Sequence, residues 1–209
     1  MRIGIMGATG LLGRNLLFEI LERNLGRLAD LEVFLFDCAA PAATLEERLK
    51  AIVERDAAFY LGANATWDGS LWDEVRQCIR PVTCDPKAGD FGISGEDRSR
   101  LNEKPFDLFF CVAALADPKD PPAVGRRWKR TNVRRASRLS TLIDSLDAAR
   151  VFYVDTAYAC RRADEAFELG ARRGALWNPS ERVRLKCELS FRPFLRRRGA
   201  VAGAFTNHG

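Results

Sequence analysis

A chain of 209 residues with 47% apolar side chains can bury a sizeable core, and it has no run of about 18 apolar residues able to cross a membrane. Its formal charge of +5 is uneven: residues 1–120 carry 14 Lys and Arg against 20 Asp and Glu, a net of −6, and residues 121–209 carry 19 against 8, a net of +11. The single histidine, His208, is the penultimate residue, which weighs against Ser-His-Asp and Cys-His catalysis because the base would sit on a loose end.

"RIGIM" (Arg2–Met6) reads as a first strand ending in glycine, and "LLGRNLLFEILERNL" places Leu12, Leu16 and Ile20 at helical spacing. The start "MRIGIMGATG" turns glycine-rich too soon for a signal peptide. "LEVFLFD" (Leu31–Asp37) is apolar on both faces, as a buried parallel strand is. Thr44 followed by Glu47 has the form of a capping box opening a helix, and "SLWDEVRQCI" (Ser70–Ile79) repeats that logic with Asp73. "RPVTCD" (Arg80–Asp85) is expected as strand three, "SGEDRSRLNE" as a short helix, and "FDLFFCVAA" (Phe106–Ala114) as strand four. After the loop "PKDPP", a long arginine-rich helix is expected from Val124 to about Leu146. "RVFYVD" (Arg150–Asp155) follows as strand five, and Asn178–Arg198 as a last helix.

Strands alternating with helices imply an α/β fold, a doubly wound parallel sheet of Rossmann type in one domain spanning 1–209. The six cysteines (Cys38, Cys78, Cys84, Cys111, Cys160, Cys187) form no C-x-x-C pair, so buried thiols in a reducing cytoplasm are expected and no structural metal. The basic C-terminal half reads first as solvated helices. It lacks the aromatic interleaving of an RNA-binding surface, so nucleic acid is the least favoured partner.

The chemistry enters at "GIMGATGLLG", where strand one turns into helix one. Gly7, Gly10 and Gly13 give G-x-x-G-x-x-G: the first for the tight turn, the second for approach of a pyrophosphate, the third for close helix–strand packing. Thr9, Leu11 and Leu12 lie between these glycines and are expected to share the cofactor site. Asp37, about 24 residues beyond Gly13, is placed to accept both ribose hydroxyls of NAD and to repel a 2′-phosphate. NAD is favoured over NADP, with Arg14 or a distant arginine left as an alternative phosphate partner.

These residues also carry a resemblance. "GATGLLG" is similar to the opening of extended short-chain dehydrogenases/reductases. "RPVTCDPKAGDFGISGEDRSRL", "FFCVAA", "TNVRRASRL" and "VFYVDTAYAC" resemble, in the right order, segments of the thioester reductase and fatty acyl-CoA reductase (male-sterility-type) branch. The resemblance implies that Asp85 hydrogen-bonds the adenine amino group and that the cofactor lies across Val112, Ala113 and Ala114. It further implies that Asn132 holds a water or backbone kink near the site, that Thr156 hydrogen-bonds a substrate carbonyl, and that Lys186 grips the nicotinamide ribose and lowers a tyrosine pKa. An acyl thioester or related carbonyl would be the substrate; a sugar epimerase or dehydratase is the neighbouring alternative.

Two departures bear on activity. The residue four before Lys186 is Arg182 rather than tyrosine, and a shifted alignment puts Ser180 there instead. Arginine holds its proton far above neutral pH and can stabilise an oxyanion only by charge. The chain also stops where the family continues, so a C-terminally truncated relative is expected, with an unfinished sheet edge open to pairing in a homo-oligomer. An active oxidoreductase, a binding protein without turnover and a module for anionic partners all remain open at this point.

Overall fold

The computed structural model describes residues 1–61, 71–113 and 125–154, together with Cys187, Leu189, Phe191, Pro193 and Phe194; of 125–132 it describes the backbone alone. Five strands, β1 (Arg2–Met6), β2 (Glu32–Cys38), β3 (Ile79–Cys84), β4 (Leu108–Cys111) and β5 (Arg150–Tyr153), form one sheet in the order β3-β2-β1-β4-β5. Every neighbouring pair is parallel. The described α-helices include α1 (Leu11–Glu22), α2 (Leu45–Tyr60), α3 (Leu71–Val75), α4 (Gly95–Leu101) and α5 (Gly125–Ser145). The doubly wound reading of the sequence therefore holds.

Both faces of the sheet are covered, because successive strand side chains point to opposite sides. Ile3, Ile5, Val33 and Leu35 pack with α1, α2 and α3 in one core. Met6, Phe34, Phe36, Val82, Phe109 and Val151 pack with α4, α5, Phe191 and Phe194 in the other. Gly4 faces this second core, where a Cβ would lie 2.4 Å from Cδ2 of the fully buried Phe109 ring. Gly4→Ala is accordingly expected to cost about 1–3 kcal/mol by overpacking. Thermal unfolding should show Tm lowered by roughly 2–12 °C.

Local sequence chemistry explains the element boundaries. The Thr44 side chain accepts from the Glu47 amide at 3.2 Å while Glu47 accepts from the Thr44 amide at 2.8 Å, so the expected capping box starts α2. Ser94 caps α4 through the Asp97 amide at 3.0 Å. Strand four is shorter than the sequence suggested, since pairing begins at Leu108 and ends at Cys111, with further bonds from the Asp107 amide to the Arg2 carbonyl and from the Val112 amide to the Met6 carbonyl. The helix expected over Ser70–Ile79 is confined to Leu71–Val75, and Ile79 already belongs to β3.

One buried charge was not foreseen. Arg2 is 6% exposed, pairs with Glu32 at 3.1 Å and lies over the rings of Phe34 and Phe106 at 4.6 and 4.7 Å. Its guanidinium also donates to the carbonyls of Arg100, Leu101 and Lys104, which ties the start of β1 to the α4–β4 connection. Buried charge persists only when paired and hydrogen-bonded, and these contacts supply both. No helix among the described residues is long and apolar enough to cross a membrane.

Candidate functional site

The strand order reverses direction between β1 and β4: the chain runs outward from β1 through β2 to β3, then returns to place β4 on the other side of β1. Connections leaving the carboxyl ends of these two strands diverge, and such a switch point is where open parallel sheets hold ligands. The glycine turn fills one side of this crevice and Val112–Ala113 the other.

Each glycine has a distinct reason to be there. Gly7 has φ +91°, and a Cβ on it would meet Ala113 Cα at 2.7 Å, so turn and β4 end touch backbone to backbone. A Cβ on Gly13 would lie 2.1 Å from the Gly7 carbonyl oxygen and 2.8 Å from Ala8 Cα, which makes Gly13 the contact between α1 and the turn. Gly10 is less confined: its added Cβ would meet only the Gly7 oxygen, at 3.3 Å. The turn is pinned to β2 by the Gly7 and Ala8 amides, which donate to the Phe36 carbonyl at 2.8 and 3.3 Å.

Gly10 is also the N-cap of α1 and offers no side-chain cap, and the first turn contains no acidic residue. The amides of Leu11, Leu12 and Gly13 make no hydrogen bond to the described residues, and Leu11 and Leu12 are 66% and 53% exposed. A twelve-residue helix thus presents open donors and the positive end of its dipole beside a turn with no side chain at Gly10. That arrangement fits a pyrophosphate.

Asp37 faces the turn from β2. Its Oδ2 accepts from the Thr9 amide at 2.8 Å and the Thr9 hydroxyl at 2.7 Å, while Oδ1 accepts from the Cys38 amide at 2.8 Å. The carboxylate is therefore fixed in place beside the turn. Arg14 does not turn toward the site; its Nη1 pairs with Asp56 of α2 at 3.0 Å. Arg48 does, donating to Thr9 Oγ1 at 3.5 Å and to the Cys38 carbonyl at 2.5 Å. Sequence reading missed Arg48, although the Thr44 cap fixes it one turn into α2, with its amide bonded to the Thr44 carbonyl at 3.1 Å.

Asp85 follows β3 and is exposed at the same sheet end. Its Oδ1 accepts from the Lys87 amide at 2.8 Å, and its own amide donates to the Phe91 carbonyl at 2.6 Å. Phe91 and Gly92 adopt φ +63° and +58° to close this loop, which buries the Phe91 ring. Val112 packs on the first core and Ala113 on the second. Ala114, Thr156, Ser180, Arg182 and Lys186 lie outside the described residues. Asn132 lies on α5, with its side chain outside them. Near that region, Cys187 is buried against Ala136 of α5, and Phe191 stacks on Tyr153 of β5 at 4.7 Å.

A parallel sheet with an uncapped glycine turn at its switch point defines a dinucleotide-binding domain of the Rossmann class. Residues 5–181 match the NAD-binding family described as male sterility protein, and the chain belongs to that family. A nicotinamide dinucleotide is therefore its cofactor class.

The chain is similar to the terminal R domain from the myxalamid PKS-NRPS biosynthetic pathway (TM-score 0.59, 22% identity, 97% of this chain and 48% of that one). It is likewise similar to a dTDP-glucose 4,6-dehydratase from Streptomyces venezuelae with NAD bound (0.59, 19%, 98% and 54%). A third similar structure is a UDP-glucose 4-epimerase from Bifidobacterium longum in complex with NAD+ and UDP (0.60, 13%, 94% and 50%). The chain spans about half the length of these solved structures. No curated protein matches it.

Proposed function

We propose that residues 1–209 act as one domain that holds NAD(H) for a reductase delivering hydride to an acyl thioester or related carbonyl. The observation that carries this reading is the open first turn of α1 facing the β1/β4 crevice, with Asp37 held at its flank. Family membership and the likeness to a terminal R domain support the reductase branch.

The bound cofactor would supply the hydride; the chain supplies binding, orientation and charge. Leu11, Leu12 and Gly13 amides would hold the pyrophosphate, and Gly10 would leave it room. Asp37 would accept from the adenosine ribose hydroxyls, and Asp85 from the adenine amino group. Val112, Ala113 and Ala114 would form the floor, with Asn132 ordering the region beyond. Thr156 would donate to the substrate carbonyl, and Lys186 would hold the nicotinamide ribose. NAD is favoured over NADP because the carboxylate of Asp37, fixed by Thr9, would meet the ribose and repel a 2′-phosphate, while Arg48, the counter-argument, already donates to the Cys38 carbonyl.

A second reading, cofactor binding without turnover, is favoured by Arg182 or Ser180 standing where the resembling reductases have tyrosine. Protonating the developing alkoxide requires a donor with a pKa near neutral, which neither side chain supplies unaided. Lys186→Ala separates the two. In a reductase it should lower NADH turnover with acyl thioesters or aldehydes by roughly a hundredfold or more, the scale of lost acid–base catalysis. In a binding protein, no turnover exists to lose and only NADH affinity falls. Dinucleotide-linked sugar chemistry, suggested by the dehydratase and epimerase likenesses, is tested by adding dTDP- and UDP-sugars to the same assay.

A further inference from the structure

Cys38 is the last residue of β2 and Cys84 the last residue of β3, and the two are direct partners in the parallel register. Cys84 lies with Val82, Phe34 and Phe36 on the second-core face, and strand alternation places Cys38 on that same face. Neighbouring strands run about 4.8 Å apart, inside the Cα separation that a disulfide spans. Both residues end their strands, so the following loops can absorb small shifts. Cys38 is exposed and Cys84 is 3% exposed, so one thiol meets solvent and the other waits beneath it.

We propose that Cys38 and Cys84 form a peroxide-sensitive thiol pair whose disulfide weakens cofactor binding at Asp37 and Asp85. The weakening half rests on the function proposed above; disulfide formation does not. The neighbours of the pair are Asp37 on β2, Asp85 after β3, and Arg135 from α5, with Arg48 of α2 on the Cys38 carbonyl. A hydrogen bond from Cys84 is the largest influence on Cys38 and holds its pKa down to about 7. Burial and the two carboxylates oppose that shift, and Arg135 assists it. The same bond and burial push Cys84 up, so it stays a thiol. The lowered pKa gives exposed Cys38 a share of thiolate near neutral pH that can attack peroxide, and once Cys38 is oxidised its charge no longer holds the proton on Cys84, which frees that thiol to resolve.

The chemistry balances with hydrogen peroxide as oxidant. The Cys38 thiolate attacks one peroxide oxygen and the O–O bond breaks. The leaving hydroxide takes a proton to become water, and Cys38 becomes a sulfenic acid. The Cys84 sulfur then attacks the Cys38 sulfur and the S–O bond breaks. The Cys84 proton leaves with that oxygen as a second water. The two sulfurs together lose two electrons and the peroxide is reduced. The disulfide locks the two strand ends, one residue before Asp85 and one residue after Asp37, into a single geometry.

The test treats the full chain with one equivalent of hydrogen peroxide and maps non-reduced peptides by mass. NADH affinity is then measured before oxidation, after it, and after dithiothreitol. A linked Cys38–Cys84 peptide should be the main product, and Cys84→Ser should leave Cys38 as a sulfenic acid that dimedone traps. Affinity should fall on the order of tenfold and return on reduction. In Cys38→Ser, peroxide should leave NADH affinity unchanged. Absence of the linked peptide overturns the pair. A linked peptide with unchanged NADH affinity overturns the regulatory role. Failure of the reduced protein to bind any dinucleotide overturns that role together with the function proposed above, while the peptide map still decides the disulfide.

Discussion

Gly13→Ala is expected to abolish measurable dinucleotide binding and to lower Tm, because the new methyl would meet atoms that cannot rotate away. Its Cβ would stand 2.1 Å from the Gly7 oxygen and 2.8 Å from Ala8 Cα, all backbone of a turn pinned to Phe36. Relief requires α1 to move off the turn, which carries the Leu11 and Leu12 amides away from the crevice. Overpacking of this kind costs about 1–3 kcal/mol or more in stability. Gly10→Ala is the informative contrast. Gly10 has φ −70°, and its Cβ would meet only the Gly7 oxygen at 3.3 Å, so the fold should survive with Tm nearly unchanged. The methyl would nevertheless occupy the room left for the pyrophosphate. Calorimetry and NADH titration on both variants should show Gly13→Ala losing stability and affinity together, and Gly10→Ala losing affinity alone.

Asp37→Asn is expected to reverse or erase the preference for NADH over NADPH. Asparagine keeps the shape and one acceptor oxygen, so the Thr9 contacts are weakened rather than removed. What disappears is the charge. A hydrogen bond to a charged group contributes about 1.5–3 kcal/mol, so NADH should bind on the order of tenfold or more weakly. Repulsion of a 2′-phosphate disappears with the same change, and unit charges 4 Å apart near a protein surface interact by about 4 kcal/mol. NADPH should therefore bind more tightly, shifting the ratio of the two affinities by roughly a hundredfold. Equal losses for both cofactors would place Asp37 away from the ribose 2′ position.

Most of the fold was legible because its signals are local. Arg2–Met6 and Leu31–Asp37 are apolar runs bounded by turn residues, and Thr44 with Glu47 states a helix start in four residues. The glycine turn was legible because its spacing is local and Gly10 and Gly13 answer contacts within their own loop, although the contact that confines Gly7 comes from Ala113 at the end of β4. What escaped depends on residues far apart in sequence. The burial of Arg2 needs carbonyls about 100 positions away and two phenylalanine rings, and nothing in "MRIGIM" announces them. Arg48 could have been found by following the Thr44 cap one turn into α2. The Cys38–Cys84 pairing needs the β2–β3 register, which sequence spacing does not fix. The short β4 escaped because "LFFCVAA" after Asp107 is uniformly apolar, whereas pairing stops where β1 runs into its turn at Gly7.

An equilibrium titration of the whole chain with NADH and NADPH, followed by fluorescence or calorimetry, bears most directly on dinucleotide binding at the β1/β4 switch point. Saturable binding tighter than about 1 mM, with NADH ahead of NADPH and the signal lost in Gly13→Ala, is the expected result. Failure of both cofactors to bind below about 1 mM, roughly −4 kcal/mol, would contradict it.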